Sequence, residues 1–220
     1  MRCFVLSTLV ALLSFGAPAS ATTITFDTDP FAGSDALTMP GRQIVGGEAF
    51  VSFSIGSDVF AFDPQVFDVD DQVLFANDVA GNLPTSSVNV VVLQTLDNDN
   101  DAATPFGAAT AANLIADRIT SSGPGFFVYF NSGLDLPRLV YTTDLSENTA
   151  DLKILARMTN LGGQSGLDAL PLFTAANFAM IAAPSPVPEP ASWALLMAPV
   201  ALWGLGRVMG RRARSRPHRG

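Results

Sequence analysis

The chain has 220 residues, with 12 basic and 20 acidic side chains and a formal charge of −8. Five of the bases and 19 of the acids fall within residues 22–183, so that stretch carries −14; it repels nucleic acid and anionic lipid and favours cations. It also holds no cysteine or histidine, because Cys3 and His218 lie outside it. That excludes disulfides, thiolate or histidine metal sites, Cys–His pairs and Ser-His-Asp triads from the stretch.

Met1-Arg2-Cys3 is a short positive start, followed by an apolar run over 4–15 and the small residues Ala19-Ser20-Ala21. That order is a secretory signal peptide, residues 1–21, cleaved by signal peptidase after Ala21. The apolar run is too short for a permanent span, which needs roughly 20 residues. Residues 22–183 remain as an acidic β-rich ectodomain, long enough for one domain with its own core.

Within it, strand patterns dominate. Residues 23–26 alternate, as do 50–55, with Val51, Phe53 and Ile55 on one face. Gly56-Ser57-Asp58 reads as a turn into 59–62, which predicts a hairpin. The acids of 63–71 read as a polar strand face, with Phe67 and Val69 opposite Asp68 and Asp70. A β-branched run covers 87–96.

Asp97-Asn98-Asp99-Asn100-Asp101 follows and sets several hard oxygens close together in a turn, a donor set suited to calcium. The run is similar to the first five positions of an EF-hand loop. Ala102 replaces the sharp-turn glycine and Ala108 replaces the bidentate glutamate, so a complete EF-hand is excluded. Two readings stay open: a weak site in which Asp97, Asp99 and Asp101 borrow a distant ligand, and a solvated acidic loop.

Thr104 as cap and Pro105 at the first position predict a helix running to Asp117. Strands are expected over 125–130, 138–142 and 151–158. In the last, Lys153 and Arg157 alternate with Leu152, Ile154, Ala156 and Met158, which favours period two over a helix. A second helix is expected over 168–176, cut short by Pro171. Turns fall at 131–133, 144–146 and 160–163. Seven or more strands with two short helices predict a mainly β fold, a β-sandwich or jelly-roll-like domain.

Residues 184–190 form a proline-rich linker, and 191–206 carry no charge. Val208 and Met209 extend the apolar run past Arg207, whose stem can snorkel, so 191–209 is expected to be a transmembrane helix with Trp193 and Trp203 toward its ends. Arg207, Arg211, Arg212 and Arg214 then act as a membrane stop, and 210–220 as a cytoplasmic tail.

The order Val187-Pro188-Glu189-Pro190, apolar helix, arginine cluster resembles a PEP-CTERM sorting signal. The resemblance implies processing near the Pro-Glu-Pro motif by an integral-membrane exosortase in a Gram-negative bacterium that makes exopolysaccharide. It implies a transient membrane anchor and a mature protein at the cell surface or in the extracellular matrix. It covers 187–220 and assigns no activity to the ectodomain. The segment 125–155 is also similar to a stretch in the ectodomains of other PEP-CTERM proteins, which implies a shared β scaffold.

A non-catalytic structural or interaction role, with exopolysaccharide as partner, is therefore expected. A calcium-dependent carbohydrate-binding module is the alternative, and a carboxylate-based glycosidase a weaker one. A glycosidase needs only two carboxylates, but acids lie throughout the domain and no pair stands out; Glu48 and Glu147 belong to no motif. Tyr129 or Tyr141 would stack on sugar if exposed, although strand aromatics usually belong to the core.

Overall fold

The computed structural model describes residues 20–97, 101 and 103–181, and its compact unit closes at Ile181. The fold is mainly β. A small sheet sets β4 (Val59–Phe62) between β1 (Thr23–Phe26) and β10 (Phe178–Met180), all parallel. The larger sheet has seven strands. At one edge β2 (Ile44–Val45) and β3 (Ala49–Val51) lie end to end along β9 (Leu152–Met158). Then follow β8 (Leu136–Thr142), β7 (Gly125–Asn131), β6 (Val90–Leu93) and β5 (Phe75–Asp78). β8 runs antiparallel to both neighbours, and every other pairing is parallel.

Both faces of the large sheet are covered, which explains why β6 and β7 are buried along their whole length. Such strands read as unbroken apolar runs rather than alternating ones. On one face Phe126, Val128 and Tyr141 meet Phe60, Phe62 and Phe178 of the small sheet. On the other, Phe127, Tyr129 and Val140 pack on the helix α2 (Ala108–Ala116) through Ala111, Ala112 and Ile115. Gly125 opens β7 where a Cβ would strike the Leu145 side chain and lie 2.7 Å from the Asn89 carbonyl oxygen.

Residues 152–158 form a strand as expected, but not with one apolar face: Leu152 and Ile154 pack toward α2, Ala156 and Met158 pack toward the small sheet, and Lys153 and Arg157 therefore lie on opposite faces of the strand. One bulge interrupts the strand: Leu139 faces Ala156 and Val140 faces Ile154, so Leu155 is the extra residue.

The structure corrects four further local expectations. The strands near 50–55 and 59–62 do not form a hairpin: β3 joins the large sheet and β4 the small one. Asp58 makes that corner, its carboxylate accepting from the Ser54 amide at 2.8 Å and the Thr22 amide at 2.9 Å. These bonds hold Asp58 below the usual carboxylate range against the opposing effect of burial. The acids of 63–71 are not a strand face. Asp63 caps a one-turn helix, α1 (Pro64–Phe67), by accepting from the Gln65 amide, and Asp68 ends it in the left-handed region at φ 52°. The turn drives Phe67 into the core, at 1% exposure.

Helix α2 starts at Ala108 with Gly107 as its cap rather than at Pro105. The Phe106 amide donates to Ser132 Oγ at 2.8 Å, and its ring is buried, so the chain stays extended there. The later helix is α3 (Gly163–Ala169), earlier than expected, followed by single 3₁₀ turns at Leu170–Leu172 and Ala175–Asn177. Among the described residues no helix is long and apolar enough to cross a membrane. The expected span, 191–209, lies outside them.

Candidate functional site

A row of side chains crosses four strands of the large sheet on the face that carries α2. Tyr129 of β7 stands opposite Arg138 of β8, Arg138 opposite Arg157 of β9, and Arg157 opposite Phe50 of β3. Glu48 precedes Phe50 by two residues and shares its face. Arg138 Nη2 donates to Glu48 Oε1 at 2.6 Å, and Arg157 Nε donates to the same oxygen. Glu48 is only 8% exposed and Arg138 13%, so this pairing is largely withdrawn from water.

Burial pushes the Glu48 carboxyl up. Its backbone hydrogen bond and the two guanidinium groups outweigh that and hold it below its ordinary range. Arg138 Nε is buried and has no hydrogen-bond partner among the described residues. Beneath the row the Tyr129 hydroxyl, raised in pKa chiefly by burial, accepts from Asn131 Nδ2 at 3.0 Å.

At the outer end of the row the Arg157 guanidinium lies 5.1 Å from the centroid of the Phe50 ring. That separation is within the cation–π range. Phe50 is 70% exposed, the most exposed large apolar side chain among the described residues. Tyr129 and Tyr141 are buried, so neither is a stacking surface. The Tyr141 hydroxyl donates to the Phe67 carbonyl at 2.9 Å; burial, with the charges of Asp68 and Asp29, pushes it up to about 12.

The acidic loop is rooted at the other end of the row. Asp97 Oδ2 accepts from Ser132 Oγ at 2.8 Å and from the Phe106 amide at 3.3 Å, just beyond β7. Asp101 Oδ1 accepts from the Ala103 amide at 2.9 Å. Asp99 lies outside the described residues. Among those described, no group of three or more acids or histidines is placed to hold a metal ion.

Two clefts flank the sheets. One, of about 370 Å³, is lined by Asp68, Asp70, Ser87 and Ser122 with the apolar Leu74 and Val88. The other, of about 320 Å³, lies between β1 and β3, with Phe26 and Phe67, the Thr25 and Thr28 side chains, Asp29 and Lys153. Lys153 Nζ donates to the Gly46 carbonyl at 2.6 Å.

Of the other residues expected to act in export, Ala21 lies at the exposed start of the described chain. Ala19, Val187, Pro188, Glu189, Pro190, Arg207, Arg211, Arg212 and Arg214 lie outside the described residues. The Glu48–Arg138–Arg157 group was not visible in any motif, because its members stand 90 and 109 residues apart. One signal pointed toward it: Arg138 in β8 and Arg157 in β9 are charges within mainly apolar strands, and a buried charge needs a partner.

No known family model, curated protein or solved structure matches this chain.

Proposed function

We propose that this chain is an exported cell-surface or extracellular-matrix protein, sorted through its C-terminal signal. Its folded domain is non-catalytic and acts by packing or binding, with exopolysaccharide as its partner. The observation that carries this reading is the order within 187–220: Val187-Pro188-Glu189-Pro190, an uncharged apolar stretch, then arginines without an acid. The last described strand ends at Met180, so the motif follows the sheets. We read the domain as a β-sandwich. Two sheets meeting across the Phe60–Phe126 core favour that reading or a jelly-roll-like variant of it, with the mostly parallel pairing as a departure from both. Residues 191–209 are the transient membrane helix.

Mass spectrometry of the protein recovered from its native cells is expected to find a chain that begins at Thr22 and ends near residue 190. Glu189→Ala combined with deletion of 211–220 keeps the protein in the membrane fraction at full length. Recovery of wild-type protein with both ends intact overturns the sorting reading.

A second reading, a calcium-dependent carbohydrate-binding module, is favoured by the anchoring of Asp97 to Ser132 and Phe106, which ties down one end of the acidic run. Extracellular sites of this class bind at roughly 10⁻⁴–10⁻³ M. Five millimolar calcium then adds about 1–2 kcal/mol, or a few degrees in Tm. Thermal unfolding of the full chain in neutral detergent checks this. The rise disappears in Asp99→Asn if the loop is the site, and no rise in the wild type removes this reading.

A further inference from the structure

Phe50 sits in a regular edge strand, yet its ring is open to solvent and already held in place. Arg157 lies against it from β9, and Glu48 in turn fixes both Arg157 and Arg138. A surface ordered before its ligand arrives loses less entropy on binding. Glu48 occupies only Nε of Arg157; its terminal nitrogens donate to no group among the described residues and are not buried.

Of the five basic side chains in 22–183, Arg138 lies on β8, Lys153 and Arg157 on β9, and Arg42 just before β2. Arg118 stands apart, beyond the end of α2, donating to the Leu83 carbonyl. Asp151, the acid beside β2, is occupied in accepting from the Leu37 and Gln43 amides, both at 2.6 Å. Acids share this edge with the bases: Arg42 faces Asp151 and Glu147, and Glu48 offsets one of the two guanidinium charges of Arg138 and Arg157, which leaves that group with one net positive charge.

An open aromatic face beside a fork of N–H donors matches one kind of ligand well. A sugar ring lays its C–H face on the phenyl group while its carboxylate takes two parallel bonds from a guanidinium. We propose that Phe50 and Arg157 form a binding face for polysaccharide built of carboxylated sugars. The proposal rests on the extracellular-polysaccharide reading and names the residues and the sugar chemistry. A polyuronate thread touches only this edge, where Arg157 offers its terminal nitrogens, and acids beyond a Debye length of about 8 Å at physiological salt are screened from it.

The test uses full-length protein in neutral detergent on immobilised polygalacturonate, with dextran as the uncharged comparison. Wild type is expected to bind polygalacturonate, to ignore dextran and to weaken as salt rises. Phe50→Ala and Arg157→Gln each bind about tenfold less tightly. Arg157→Lys, which keeps the charge and loses the fork, falls between. Phe50→Ala leaves Tm unchanged, so its effect is not one of folding. Equal binding to dextran, no binding to either, or variants that bind like wild type each overturn the proposal. So does a dimer in light scattering that Phe50→Ala dissolves, which would assign this edge to contact between copies. Chain ends are read separately: processed ends without polygalacturonate binding sink this inference alone, and intact ends sink the sorting reading alone.

Discussion

Phe62→Ala is expected to destabilise the folded domain by about 3–5 kcal/mol, the usual loss for a buried phenylalanine. Phe62 belongs to the small sheet and is wholly inaccessible. Its ring stacks on Phe126 of the large sheet at 3.7 Å between centroids and 16° between planes. It also stacks on Phe26 at 5.7 Å and meets the edge of Phe67 at 6.1 Å. The two sheets thus touch through this ring, and such pairs add about 0.5–1.5 kcal/mol beyond their burial. β4 is hydrogen-bonded on both sides, to β1 and β10, so it cannot move inward to close the cavity. Circular dichroism during heating of the full chain in neutral detergent should show Tm lower by about 10 °C. Phe62→Leu should recover part of the loss. A drop under about 1 kcal/mol would mean that the stack does not join the sheets.

Glu48→Gln is expected to cost about 3 kcal/mol, because it leaves two guanidinium groups beside a neutral amide in a site largely closed to water. The pH dependence gives a second readout. The Glu48 carboxyl is held below its ordinary value of 4.5 in the folded chain. The stability it contributes is therefore present above about 4.5 and lost as pH falls through the lower folded value. Asp58 and Asp144 are lowered as well, Asp58 chiefly by the Ser54 amide. For Asp144, burial opposes the shift, and bonds from Ser122, Ser146 and Gly123 outweigh it. Wild type should then lose stability in acid, and Glu48→Gln should lose less over the same range. Parallel acid-unfolding curves for the two proteins would show that the pairing contributes nothing to folding.

The central strands were legible because their composition leaves few options. Four consecutive apolar residues in β6, and Phe126 to Phe130 in β7, suit a position covered on both faces. Lys153 and Arg157, spaced four apart among apolar residues, marked β9 as a strand, but the bulge at Leu155 was not legible and puts the two charges on opposite faces. The other failures share a cause. Asp58, Asp63 and Ser132 act by accepting hydrogen bonds from backbone amides, and these redirect the chain more strongly than local pattern does. The hairpin expected at 56–58 depended on neighbours in sequence, whereas Thr22, which Asp58 holds, is 36 residues away.

The same division runs through the function. Order along the chain is enough to propose an address, since signal peptides and sorting tails are short linear segments whose charges and apolar runs follow one another in sequence. Composition is enough to exclude histidine and cysteine chemistry and to make the domain acidic. Strand order is not encoded in any such segment. Only the pairing of β3, β9 and β8 brings Glu48, Phe50, Arg157 and Arg138 onto one face. Contacts between distant residues depend on the packing of the whole sheet, so the pairing of guanidinium and aromatic ring at this edge exists only once the domain is folded.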